Sequence, residues 1–68
     1  MRKSLEKNLA EFLRKQRGDK AYAPFAHKLG ITGSSLFRLE NCQQSATLKT
    51  VQQICERLKC RTTDIFRD

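Results

Sequence analysis

Apolar residues recur along this chain at the spacing of an α-helix. The first apolar stripe occupies positions i, i+4, i+7 and i+8 of one helix face, at Leu5, Leu9, Phe12 and Leu13. Ser4 is a suitable N-cap because its hydroxyl can accept a hydrogen bond from a free backbone N–H, and Gly18-Asp19 ends the helix. β-branched and polar residues do not alternate over four or more positions, so no strand is predicted.

A second helix is predicted from a stripe with the spacing i, i+3, i+4 and i+7, at Tyr22, Phe25, Ala26 and Leu29. Pro24 requires this helix to begin at residue 21 or 22, because a missing N–H is harmless only in the first turn. Gly30 then supplies a left-handed C-terminal cap.

Two threonines mark the starts of two further helices. Thr32 is the expected N-cap of the third, which turns Leu36 and Leu39 inward. Thr47 is the expected N-cap of the fourth, whose inward stripe is Leu48, Val51, Cys55 and Leu58.

A last short turn is predicted at the end of the chain, capped by Thr62 or Thr63 and carrying Ile65 and Phe66. The predicted fold class is therefore all-α, a compact bundle of four helices plus a short C-terminal helical turn. With 68 residues, against about 100–200 for a typical domain, residues 1–68 are expected to form a single domain.

The segment 22–41 has the residue types that two helices need to cross at about 90–120° over a short turn. Ala26 is small enough to let the second helix of the pair approach, Gly30 can take the positive φ of the turn, and Ile31 fills the corner. The second helix docks through its leucines and leaves its other face outside. This is the geometry of a helix-turn-helix, whose second helix enters the DNA major groove.

The chain resembles the lambda repressor-like, Cro-type (XRE family) helix-turn-helix domains of phage and bacterial regulators. The matching words are FAHKLGITGSSLFRLEN, TLKTVQQICERLKC and TDIF, and the resemblance covers about residues 5–66. It implies a compact all-α domain that binds double-stranded DNA, often as a homodimer on a two-fold symmetric operator. Ile65 and Phe66 are the expected contributors to such a dimer.

The resemblance also implies DNA-contacting roles on the exposed face of the recognition helix, for Thr32, Gly33, Ser34, Phe37, Arg38 and Asn41. Tyr22 stands where the family often uses Gln to touch a phosphate. Gly33 stands where a long polar side chain is usual, so one base contact is expected to be missing. Cys42 replaces a common glycine, so Asn41 is expected to take the left-handed conformation.

Several of these residues have a second interpretation. Arg38 is expected to contact a base or a phosphate, since Arg to guanine is the commonest specific pairing, although it could be a solvated arginine. Phe37 packs either on a thymine methyl or at the edge of the core. Thr32 and Ser34 either contact DNA or serve only as caps, and a half-buried Tyr22 ring with its hydroxyl at a phosphate fits both interpretations.

The charge balance favours a polyanionic partner, because 14 Lys and Arg face 7 Asp and Glu, a net charge of +7. Glu40 is expected to pair with Arg14 of the first helix. A basic run is interleaved with acidic residues and is equally well explained as a solvated helix face, at Arg2, Lys3, Lys7, Arg14, Lys15, Arg17 and Lys20. No apolar run approaches 18 residues, so no membrane partner is expected.

The cysteines, Cys42, Cys55 and Cys60, are odd in number and lack a CxxC spacing, which favours free thiols in a reducing cytoplasm. With His27 they still lack the close paired ligands of a zinc site, so no metal and no cofactor are expected. No nucleophile, base and orienting group occur together, so no enzyme activity is expected.

The function expected from the sequence is a cytoplasmic, nucleoid-associated transcriptional regulator that occupies an operator. The alternatives are an antitoxin-like or adaptor module that binds a protein on the same fold, and a binder of structured RNA.

Overall fold

Five α-helices make up the part of the chain that the computed structural model describes, residues 4–66. They are α1 Leu5–Arg17, α2 Tyr22–Leu29, α3 Gly33–Glu40, α4 Leu48–Leu58 and α5 Thr62–Ile65. The four longer helices and the short terminal one confirm the predicted all-α class, and these residues form no strand. Arg2 and Lys3 of the basic run lie outside the described residues.

Three of the predicted N-caps are confirmed by side-chain hydrogen bonds. In each case a hydroxyl accepts the backbone N–H three residues later, at 3.2, 3.0 and 3.1 Å from Ser4, Thr32 and Thr47 respectively. The prediction for the last helix was wrong, since α5 begins after Arg61 and neither Thr62 nor Thr63 is its cap. The Asp64 carboxylate accepts the Arg61 N–H at 2.8 Å, so the acid inside the helix secures its first turn.

The turn between α2 and α3 needs a glycine, as predicted. Gly30 has a φ of +77°, and a Cβ there would lie 2.6 Å from Gln53 Nε2. That amide nitrogen donates to the carbonyls of Leu29 at 2.8 Å and Gly30 at 3.1 Å. The Ile31 N–H donates to Ala26 O at 3.0 Å, which completes the left-handed cap. A side chain from α4 thus secures the carbonyl end of α2.

The end of α3 differs from the prediction. Asn41 keeps a negative φ of −108°, and Cys42 takes the left-handed conformation with a φ of +57°. The Gln43 N–H reaches back to Arg38 O at 2.8 Å, a bond that requires the residue before Gln43 to be left-handed. Cys42 therefore occupies the glycine conformation without being a glycine.

All five helices contribute to one core, made of Leu9, Leu13, Phe25, Ala26, Leu29, Leu36, Leu39, Val51, Ile54, Cys55 and Ile65. Two leucines that were predicted to point inward do not join it: Leu5 is 64% exposed and Leu48 is 89% exposed. Each is the first residue of its helix, where the correct helical phase still leaves the side chain beyond the end of the core. Ile54, which the predicted stripe omitted, is fully buried.

Candidate nucleic-acid interface

The helix α3 has one buried and one exposed face. Leu36, Leu39 and Glu40 are buried. The outer side carries six of the predicted DNA-contacting residues: Thr32, Gly33, Ser34, Phe37, Arg38 and Asn41. Gly33 is half-buried, and the other five are exposed. The structure thus places these residues at or along the free side of the second helix of the helix-turn-helix.

Tyr22, the remaining predicted site residue, joins this face through an aromatic contact. Its ring is half-buried and meets the Phe37 ring edge-on, with centroids 5.6 Å apart and planes at 70°. This arrangement is the favourable one for two aromatic quadrupoles. On the other side, Arg17 Cζ lies 4.1 Å from the centre of the Tyr22 ring, a cation–π contact.

Arg17 also forms a partly buried ion pair that holds α3 to α1. Glu40 is 1% exposed, and its carboxylate accepts from Arg17 Nε at 2.7 Å and Arg17 Nη2 at 2.9 Å. Arg17 Nη1 also donates to Lys20 O at 2.8 Å. Donating these hydrogen bonds to Glu40 raises the pKa of Arg17 above its ordinary value. Such a two-pronged pair fixes both side chains.

The expected partner of Glu40 was wrong. Arg14 is exposed, and Arg17, three residues further along α1, makes the contact instead. Both arginines lie toward one side of the helix, and the one at its end reaches the end of α3. The interpretation of the basic run as a solvated helix face did not predict that Arg17, one of its members, pairs with Glu40. The available signal was Glu40 itself, an acid next to the inward-facing Leu39.

Arg38 is available for an external partner. Its guanidinium is exposed and Nη1 donates to Gln44 Oε1 at 3.3 Å, a long bond to a neutral amide. Asn41 is more committed, since its Nδ2 donates to Phe37 O at 2.8 Å. A guanidinium presents a rigid fork of donors, the kind of group that can pair with guanine or with a phosphate.

The first turn of α3 presents small side chains. Thr32 serves as the N-cap, and Ser34 is exposed. Gly33 lacks a positive φ, and a Cβ added to it would meet Ala23 Cα at 3.9 Å, an ordinary van der Waals contact. Neither the backbone nor the packing requires a glycine at this position.

A second surface feature is an apolar groove of about 370 Å³, here called the Leu48 groove. It lies between the starts of α1 and α4 and the end of the described chain. Its apolar lining residues are Leu5, Leu9, Leu39, Ala46, Leu48, Val51 and Phe66. Glu6 is the charged residue of the lining, and no Lys or Arg of residues 4–66 contributes to it.

The cysteines are free thiols, with Cys42 exposed, Cys55 buried and Cys60 half-buried. Burial, followed by a hydrogen bond with Cys55, raises the pKa of Cys60 from 9.0 to about 11. That thiol stays protonated at neutral pH and is a poor nucleophile. Among residues 4–66, His, Cys, Asp and Glu side chains nowhere gather in threes as a metal site would need. The helices of this part of the chain are also too short or too polar to cross a bilayer.

Comparison with known families agrees with this geometry. The family model for helix-turn-helix domains matches residues 11–65, which is most of the chain. The chain therefore belongs to the XRE, lambda repressor-like helix-turn-helix family, a family of DNA-binding, non-enzymatic domains. Searches of curated proteins and of solved structures gave no match.

Proposed function

We propose that this chain is a sequence-specific transcriptional regulator that acts by occupying an operator, in the cytoplasm and at the nucleoid. The observation that carries the proposal is the free face of α3, where the exposed Arg38 stands beside the Tyr22–Phe37 pair. In a helix-turn-helix that face enters the major groove.

The role proposed for each residue in DNA binding follows from its contacts and exposure. Arg38 reads a guanine through its paired donors, or failing that clamps a phosphate. Thr32, Ser34 and the Tyr22 hydroxyl are proposed to contact phosphates or bases, and Asn41 is proposed to do so at the other end of α3. The net charge of +7 supplies affinity for DNA of any sequence. Gly33 contributes no polar base contact.

We further propose a homodimer, formed through the Leu48 groove. A two-fold interface is self-complementary, and here an apolar knob, Leu48, stands beside an apolar hollow that a second Leu48 can enter. Two copies of a chain with a net charge of +7 repel each other where their basic surfaces meet. The Leu48 groove avoids this repulsion, because no Lys or Arg of the described residues lines it. Phe66 is half-buried and lines the groove, whereas Ile65 is 3% exposed and belongs to the core.

The same groove favours a second candidate function, a module that binds a partner protein. An exposed leucine in an apolar hollow fits the apolar face of a partner helix as well as a second copy. In that case α3 would not need to contact bases, and the small side chains of its first turn would not weaken binding.

Selection of bound sequences from a random duplex library decides between these functions. We expect a two-fold symmetric consensus with half-sites about 34 Å apart, and a log–log salt slope that grows by about 0.9 for each phosphate neutralised. Duplex RNA of the selected sequence is the control, because its major groove does not admit a helix. No enrichment with a flat salt response would refute DNA binding and favour the protein partner.

A further inference from the structure

Phe37 is one of the large apolar residues that the described part of the chain leaves exposed. It is 45% exposed although it lies one position after the fully buried Leu36. If α3 lies in the major groove, the exposed part of this ring can make an apolar contact with a base.

The position one turn before Phe37 is empty. Gly33 precedes it by four residues, so a side chain at Gly33 would stand next to the ring on the same side of α3. The floor of this gap is Ala23, whose Cα lies 3.9 Å from where a Cβ of Gly33 would be. We call the surface formed by Phe37, Gly33 and Ala23, where the glycine leaves room for a side chain, the Phe37 notch.

The wall of the notch is held in place from behind. The Phe37 ring meets the Tyr22 ring, the Tyr22 ring lies against the Arg17 guanidinium, and Arg17 is fixed by the buried Glu40. A ring that is already fixed loses little conformational entropy on binding, so more of the free energy of a small apolar contact appears as affinity.

We propose that the Phe37 notch recognises the 5-methyl group of a pyrimidine, which makes Phe37 and Gly33 specificity-determining residues. Thymine carries that methyl group in the major groove, where the other three bases present polar edges. The methyl of 5-methylcytosine projects from the same ring position. The proposal rests on the proposed function, since it requires α3 to lie in the major groove.

The expected effect is small and measurable. Burying one methyl group contributes about 0.8 kcal/mol, which corresponds to a change of about fourfold in affinity. Replacing thymine by deoxyuridine removes this group and leaves every hydrogen-bonding atom of the base pair in place. The substitution therefore isolates the methyl contact from all polar contacts.

The experiment uses the duplex selected by the full chain, with each thymine replaced in turn by deoxyuridine. We expect the chain to lose about fourfold in affinity at one thymine of each half-site and little at the others. Phe37→Ala and Gly33→Leu, which open and fill the notch, are expected to bind the two bases equally at that position. Ser34→Ala is the matched control on the same helix, and it keeps the discrimination even if its overall affinity changes.

Three results would overturn the proposal while leaving DNA binding intact: a selected half-site without thymine, no loss at any deoxyuridine, or a loss that persists in Phe37→Ala. Failure of the chain to select any duplex would instead refute the proposed function and this inference together. Because each variant is compared with itself on two DNA molecules, partial unfolding of a variant cannot produce the discrimination.

Discussion

Phe37 and Leu48 are both large apolar side chains on the surface of the domain, and their surroundings differ in almost every respect. Phe37 stands among polar and charged residues of α3, with its ring held against Tyr22 and, behind it, Arg17. Leu48 stands at the start of α4, beside a groove whose lining is mostly aliphatic.

The difference indicates two kinds of partner. A fixed ring surrounded by donors suits a partner that is polar overall and apolar at one point, as a base edge is. A leucine beside an apolar hollow suits a partner that buries area without hydrogen bonds, as another protein surface does. The two surfaces can therefore be inactivated one at a time, and variants at each should leave the other intact.

The largest expected effect concerns the support behind Phe37. Arg17→Met leaves the carboxylate of Glu40 buried without its partner, which is strongly destabilising. We expect Tm to fall by more than about 10 °C, since a domain of this size loses about 4–8 °C per kcal/mol. Arg14→Met is the matched control on the exposed part of α1. Equal Tm values for the two variants in a circular dichroism melt would show that the ion pair does not support the fold.

The next effect concerns the Leu48 groove. Leu48→Asp places a charge in the apolar interface, so we expect monomers in analytical ultracentrifugation and an affinity for the two-fold site lower by about 100-fold, because linked half-sites lose their avidity. Tm should hardly change, since Leu48 is outside the core. Gln52→Asp adds the same charge at an exposed position of α4 and should remain dimeric. A dimer that survives Leu48→Asp would place the interface elsewhere.

A smaller effect distinguishes a base contact from a phosphate contact at Arg38. Arg38→Ala should cost about 1–3 kcal/mol on the preferred site and relax the preference at one base pair, whereas Arg38→Lys should keep part of the general affinity without that preference. Affinities for a panel of single base-pair changes measure both. Uniform weakening across the panel, with a salt slope lower by about one unit, would assign Arg38 to a phosphate instead.

The smallest effect compares two glycines. Gly33→Ala should raise the free energy of unfolding by about 0.4–1 kcal/mol, because its backbone has room for a Cβ and alanine loses less entropy in a helix. Gly30→Ala is the opposite control, since its positive φ and the nearby Gln53 make it destabilising. Urea unfolding of both variants provides the test. Destabilisation by Gly33→Ala would mean that α3 needs a glycine at its first position.

The features that the sequence predicted well are local ones. Helix starts follow from Ser4, Thr32 and Thr47, whose hydroxyls cap the helices within one turn of themselves. The positive φ of Gly30 follows from the chemistry of its own turn. Such features depend on neighbours in the chain, so no tertiary information was needed.

Two of the features that the sequence did not predict depend on packing between helices. The apolar periodicity predicted which face of α4 carries Leu48. It did not predict how far Leu48 is buried, because burial depends on where the neighbouring helices end. The choice of Arg17 over Arg14 depends on which of these two residues, one turn apart on α1, lies opposite the end of α3. A third miss is local: the left-handed residue is Cys42 and not Asn41, because the hydrogen bond from the Gln43 N–H to Arg38 O decides which residue must turn. For the DNA-contacting residues, position on the free face is established, and their contacts stay predictions.

The amide of Gln53 has a consequence for modularity. Both carbonyls at the end of α2 that it binds belong to the helix-turn-helix, and the amide itself belongs to α4. A fragment with only residues 22–41, or a graft of that segment into another bundle, would bring the carbonyls without their donor. The turn and α4 should accordingly open together in hydrogen exchange, as one cooperative unit. The helix-turn-helix is thus stabilised in part by a helix that lies outside it.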